Sequence, residues 1–231
     1  RPPVRSGSQL HAQTPPEAVD NGCHLHLSLW DDKGHPAAFD PDGSGQMSPV
    51  AAQFVAGAQR HLAALTALTA PSPVSYLRLG PHHWSCGYDA VGVQNREAAI
   101  RICPSPIADP KTRGHAFNIE FRFTDATASP YLAIGAIIRA GLEGIRAELP
   151  APAMVDEDPA ELSDARRAEL GVKELPGSLD AALAAFEADE TARSWFTPTM
   201  VEAYTSVKRL EAETFSAGDA AAMCERYAHA Y

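Results

Sequence analysis

The 231 residues carry 19 Lys and Arg against 29 Asp and Glu, a formal charge of −10, with 45% hydrophobic and 21% charged side chains. That is ordinary globular usage in a chain long enough to bury a core, which argues against wholesale disorder. The acidic balance argues against a general nucleic-acid binder, which needs a basic face. The four cysteines, Cys23, Cys86, Cys103 and Cys224, contain no CxxC pair and read as reduced thiols. The longest apolar run, Tyr131 to Ile145, is interrupted by Arg139 and Glu143 and is too short to span a bilayer. No cleavable leader opens the chain, so a cytoplasmic protein is expected. The start, Arg1-Pro2-Pro3, reads as the middle of something longer.

Residues 1–20 are polar and Pro-rich and are expected to be irregular. Residues 23–30 alternate strictly, with Leu25, Leu27 and Leu29 on one face and His24, His26 and Ser28 on the other, the pattern of a half-buried strand. Turn residues follow, and Ser48-Pro49 then supplies a cap and a first-turn proline. The helix behind it is predicted to run to about Thr69, with Phe54, Ala58, Leu62 and Leu65 as its apolar stripe. Residues 74–95 read as a long irregular stretch. Two strands are predicted over Ala98–Cys103 and Asn118–Thr124; in the second, Ile119, Phe121 and Phe123 share one face and Glu120 and Arg122 the other. A helix is predicted from Ser129-Pro130 to about Leu149. The acidic, Pro-rich stretch 150–177 reads as a surface excursion. Helices are then predicted over about 178–189 and 198–215, with a shorter one before Tyr231. Strands first and helices after give an α+β fold with a largely antiparallel sheet.

His24 and His26 lie two apart on a strand, so both imidazoles project from one polar face, where they can ligate a divalent metal, hold an anion, or simply hydrogen-bond. Glu120 and Arg122 form a second same-face pair, either a structural ion pair or a metal ligand beside an anion-binding arginine. Arg78, Arg96, Arg101 and Arg113 are candidates for a polyanion, because a guanidinium fork matches carboxylate and phosphate. There is no GxxxxGK[ST] loop and no GxGxxG, so neither a P-loop nor a Rossmann site is supported. Ser28 and Ser85 lack a nucleophile-elbow context. Glu211 and Glu213 read as solvated helix charges.

In order along the chain, NGCHLHLSL (21–29), SYLRL (75–79), QNREAAIRI (94–102) and NIEFRFTDATASPYLAIGAIIRAGLEGI (118–145) resemble the segments of the glutamine synthetase family. Together with the helices up to ERYAHAY, the resemblance covers nearly the whole chain from Asp20 onward. It implies the C-terminal part of a catalytic domain over 21–231 and an ATP-dependent ligase that joins glutamate to an amine through γ-glutamyl phosphate. The cofactors implied are ATP and Mg2+ or Mn2+. By the same resemblance His24 and Glu120 match metal ligands, His26, Ser28 and Arg101 match nucleotide-phosphate contacts, and Arg96 matches the arginine on the transferring phosphoryl group. Gly22, Arg78 and Arg122 match the glutamate site.

Departures from the family pattern qualify this. Six residues after Arg78, where ammonia-using members carry a loop glutamate, this sequence has Trp84, which implies the branch that uses larger amines. Asn118 stands where an arginine is expected, leaving Lys111 or Arg113 to replace it. The family's N-terminal sheet domain and most of its first metal site have no counterpart, so the 231 residues alone are expected to be inactive. The full-length protein is expected to form a ring, with glutamate and an amine as substrates and no nucleic-acid or membrane partner. Ammonia-using glutamine synthetase and a non-catalytic relative are the alternatives.

Overall fold

The computed structural model describes residues 21–83, 85–215 and 219–227, without the side chains of 110 and 111. The expectation of an irregular segment over 1–20 lies outside the described residues, as does Trp84. Four strands, β1 (Leu25–Leu27), β2 (Tyr88–Val93), β3 (Ala98–Ile102) and β4 (Ile119–Phe121), form one sheet in the order β1-β4-β3-β2. The β1–β4 and β3–β4 pairs are antiparallel and β2–β3 is parallel, so two of the three pairings follow the expected antiparallel pattern.

The helices are α1 (Pro49–Arg60), α2 (Leu62–Thr69), α3 (Ser75–Arg78), α4 (Pro110–Arg113), α5 (Pro130–Arg146), α6 (Asp164–Leu170), α7 (Leu179–Ala188), α8 (Glu190–Ser194), α9 (Pro198–Phe215) and α10 (Ala220–Tyr227). No described helix is long and apolar enough to cross a membrane.

Period-2 patterning places the core. Phe121, Ile100 and Ile119 turn inward with Phe123 and meet the helical layer, where Phe54 of α1 sits edge-on to Phe121 at 6.4 Å between ring centroids. Ser48 caps α1 by accepting from the Ala51 amide at 3.3 Å. The α1 stripe then packs on α5 at backbone contact. A Cβ added at Gly144 would lie 2.1 Å from the Gln53 carbonyl oxygen, and one at Gly57 would lie 2.2 Å from the Ala140 oxygen. Glycine is therefore required at both positions, and the closeness of the helices holds the Phe54 ring firmly against the sheet.

Three expectations need correction. The helix expected from Pro49 to Thr69 is divided at His61 (φ −98°, ψ 7°). The cause is tertiary: His61 Nδ1 lies 2.6 Å from Asp189 Oδ2, and its ring stands edge-on to Trp195. The stretch 74–95 contains α3 and β2 rather than irregular chain. Finally, 150–177 is no mere surface excursion. Its Val155, Val172 and Leu175 are buried, and its backbone runs along β2, with Val155 N donating to Val91 O at 2.8 Å and Asp89 N to Lys173 O at 2.9 Å. It covers the β2 edge of the sheet. At the other edge, β1 pairs with β4 on one side only among the described strands.

Candidate functional site

Strand register assembles the site. His26 of β1 pairs with Glu120 of β4, and Glu120 pairs with Arg101 of β3, so one cross-strand row carries imidazole, carboxylate and guanidinium on the face away from the core. Glu120 is only 3% exposed, yet it lies amid positive charge. Its Oε1 is 3.0 Å from Arg122 Nη1, 3.0 Å from His24 Nδ1 and 3.6 Å from His26 Nε2, and its Oε2 is 2.5 Å from Arg101 Nε. The Arg101 contact is an ion pair whose N–H is not aimed along a hydrogen bond. Burial would raise the Glu120 carboxyl, but the His24 hydrogen bond and the charges of Arg122 and Arg101 outweigh it and hold the group down at about 2. Glu120 is thus ionised at any physiological pH.

Beside this row lies a cavity of about 340 Å³ lined by His24, Arg96, Glu97, Arg101 and Arg122. Arg122 is anchored by donating from Nε to the Arg96 carbonyl oxygen at 3.0 Å, which leaves the Arg96 side chain exposed at the rim. The Glu120–Arg122 pair is an ion pair, and its Arg122 also lines the cavity.

Arg78 is separate from that cavity. It is fully buried, donating from Nη1 to Ser85 Oγ at 3.0 Å and from Nη2 to the Thr124 carbonyl at 3.1 Å, while its Nε has no hydrogen-bond partner among the described residues. Gly22 joins the two regions. A Cβ there would come within 3.0 Å of His24 Nε2 and 3.3 Å of Arg78 Nη1, so a side chain would fill the space between them. Gly22 itself is bridged to Asp125, which continues the β1–β4 pairing.

Other expected residues are used elsewhere. Ser28 is exposed, and its Oγ accepts from Trp30 Nε1 at 3.0 Å. Arg113 donates to the carbonyls of Ile107 and Ala108 in its own loop, which ties it there. Asn118, at the position of the missing arginine, accepts at Oδ1 from His26 Nδ1 at 2.8 Å. Glu211 is not simply solvated: it pairs with Lys208 at 2.9 Å and accepts from the Tyr227 hydroxyl at 3.0 Å. His82 makes a tie of its own outside the cavity: its Nε2 lies 2.7 Å from Asp158 Oδ2 and its amide donates to Glu97 at 3.0 Å.

Sequence reasoning missed Cys103 and Glu97. Cys103 Sγ lies 3.9 Å from Glu120 Oε2, 3.7 Å from His26 Nδ1 and 3.8 Å from Arg101 Nη2. Its position two residues after Arg101 on an alternating strand was the available signal.

A divalent ion fits the donor set. Ligand atoms on neighbouring corners of an octahedron with bonds of about 2.1 Å lie about 3.0 Å apart, and His24 Nδ1 and Glu120 Oε1 have that spacing. His24 Nε2 is buried without a hydrogen-bond partner among the described residues and faces Gly22, so a further ligand group there would satisfy it.

A buried carboxylate between imidazoles, with arginines around an adjoining cavity, is an arrangement chemically suited to a cation and an anion. The chain belongs to the glutamine synthetase family, whose catalytic-domain model matches residues 9–227. It is 42% identical over 196 residues to a gamma-glutamylpolyamine synthetase of Streptomyces coelicolor, covering 85% of this chain and 41% of that protein. It is 39% identical over 173 residues to a glutamine synthetase of Pyrococcus furiosus, covering 75% of this chain and 37% of that protein. A crystal structure of a novel glutamine synthase homolog superposes on 96% of this chain and 48% of its own, with TM-score 0.82 and 38% identity. A complex of GmaS with ADP superposes on 89% of this chain and 46% of its own, with TM-score 0.71 and 29% identity. The chain therefore spans less than half the length of these relatives.

Proposed function

We propose that the whole protein is an ATP-dependent ligase that joins the γ-carboxylate of glutamate to an organic amine. The observation that carries this reading is the Glu120 row: an ionised carboxylate flanked by His24 and His26, with Arg101, Arg122 and Arg96 around one small cavity. A carboxylate and a triphosphate repel each other, and a site that brings them together must place positive charge where they meet. In this reading His24 and Glu120 hold Mg2+ or Mn2+, which supplies charge neutralisation at the phosphates. His26, Ser28 and Arg101 hold the nucleotide phosphates, and Arg96 contacts the transferring phosphoryl group. Arg78 and Arg122, with the close approach that Gly22 permits, orient glutamate. A buried Arg78 held only by neutral acceptors is ready to receive a carboxylate.

The reaction has two steps. The glutamate γ-carboxylate attacks the terminal phosphorus of ATP and ADP leaves, giving γ-glutamyl phosphate. The amine nitrogen then attacks the acyl carbon and phosphate leaves. Activity is assigned to the whole protein, because these residues span only 41% of the gamma-glutamylpolyamine synthetase they match. A homo-oligomeric ring and a cytoplasmic location belong to the same proposal.

The similarity to a gamma-glutamylpolyamine synthetase and the tryptophan at position 84 favour an organic amine over ammonia. A tryptophan face covers an alkyl chain and attracts a cationic head by ~0.5–2 kcal/mol, which a small hydrated ammonium exploits poorly. The test compares kcat/KM for ammonia with mono- and polyamines at fixed glutamate and ATP. A polyamine or monoamine is expected to win; ammonia winning returns the protein to glutamine synthesis.

A further inference from the structure

We propose that His26, Cys103 and Glu120 form a chelating site for a thiophilic divalent cation, of which zinc is the type. Their ligand atoms all lie within 4.8 Å of one another. A tetrahedral ion with bonds of about 2.0–2.3 Å to N, O and S needs its ligand atoms roughly 3.3–3.8 Å apart. His26 Nε2 and Glu120 Oε1 stand at 3.6 Å, and Cys103 Sγ and Glu120 Oε2 at 3.9 Å, both near that spacing.

The orientation of His26 is a second, independent observation. Its Nδ1 donates to Asn118 Oδ1 at 2.8 Å, so Nε2 is the nitrogen turned toward the carboxylate, 3.6 Å from Oε1. An outer hydrogen bond on the far imidazole nitrogen is also how metal-binding histidines are held in place. Asn118, an anomaly if an arginine was expected there, thus has a positive role.

The sulfur sets the class of ion. Thiolate favours zinc-like ions over Mg2+, which prefers an all-oxygen shell. On binding, the Cys103 S–H bond breaks, its proton passes to solvent, and the sulfur pair forms the bond to the metal. Arg101 Nη2 lies 3.8 Å from the same sulfur. Glu120 is buried but His26 is exposed, so the ion has a route in from solvent. Because the site takes Glu120, a thiophilic ion held there competes with Mg2+ or Mn2+. This inhibitory consequence rests on the ligase reading, whereas the metal site does not.

The experiment titrates the whole protein, free of nucleotide, with Co2+ and records the sulfur-to-cobalt charge-transfer absorption, with Zn2+ added to displace it. Wild type should show the band. Cys103→Ser should lose it and bind Zn2+ at least about tenfold more weakly, and Cys23→Ser, altering the nearby exposed thiol, should keep it. Asn118→Ala should retain the band with affinity reduced by about 10–100-fold. This second variant leaves the thiol untouched, so it tests the site even if Cys103→Ser folds poorly. Absence of the band in wild type, or its survival in Cys103→Ser and loss in Cys23→Ser, overturns the site. The band without any Mg2+-dependent ligation sinks the ligase reading and leaves the metal site standing. Under turnover, Zn2+ should inhibit wild type at concentrations at least about tenfold lower than it inhibits Cys103→Ser.

Discussion

Glu120→Gln keeps the shape of the side chain and removes a negative charge that pairs with two guanidiniums. Arg122 and Arg101 are 5% and 15% exposed at their side chains, so neither can recover water by a small movement. At about 3 Å and an effective dielectric of about 20, each contact has a gross attraction of roughly 5 kcal/mol. Desolvation offsets much of this, and removing one partner from a buried pair typically costs about 3–5 kcal/mol because the remaining charge is stranded. In a protein of this size that corresponds to a fall in Tm of about 6–20 °C. Thermal unfolding followed by circular dichroism measures it, and repeating the melts at about 0.5 M salt separates buried from exposed charge, because screening acts mainly on the latter. The expected deficit persists at high salt. A Tm within 2 °C of wild type, about 1 kcal/mol or less in a protein of this size, would show that the arginines have other anions or relax outward, and the stranded-charge argument would fail.

Gly144→Ala should be destabilising despite better helix propensity, since the new methyl meets the Gln53 backbone at 2.1 Å and neither chain can rotate away. Overpacking of ~1–3 kcal/mol or more exceeds the ~1 kcal/mol propensity gain, whereas Gly135→Ala on the same helix has nothing within 4 Å and should stabilise. Urea midpoints for the two variants moving in the same direction would contradict the close-contact argument. His82 makes a pH-dependent tie to Asp158: the hydrogen bond and the charge of Asp158 raise its pKa, with smaller contributions from Glu97 and Glu161. Its folded value lies above the unfolded one of about 6.5, so the tie is fully present below that pH and is lost as pH rises through the folded value. Limited proteolysis near His82 should accelerate as the pH rises from below the unfolded value through the raised folded one, and His82→Gln should remove the difference.

Elements with clean alternation were legible before the fold was known. The 23–30 and 118–124 patterns placed His24, His26, Glu120 and Arg122 on polar faces, and the structure brings His24 and Glu120 to 3.0 Å. β2 was not legible because Tyr88, Ala90, Val91 and Gly92 are buried without alternation, helices and the 150–177 segment covering both sides. The acidic stretch was misread for a related reason. It is rich in Asp, Glu and Pro, while scattered apolar residues, Val155, Val172 and Leu175 foremost, do the packing. The division at His61 carries no Gly or Pro, since its cause lies 128 residues away at Asp189. The convergence of Arg101 and Cys103 on Glu120 depends on strand register, which composition does not encode.

That β1 has no second neighbour among the described strands bears on how these residues behave at high concentration. A strand edge with unpaired N–H and C=O groups is a template for another strand. Here the strand is only three residues long, and Leu25, Leu27 and the nearby Leu29 are half-covered rather than buried. Such an edge is adhesive in proportion to concentration, so a preparation of this piece would associate through Leu25–Leu27 as it is concentrated. The same row that holds Glu120 in place is therefore the row most exposed to mispairing, and loss of the site and loss of solubility would arrive together.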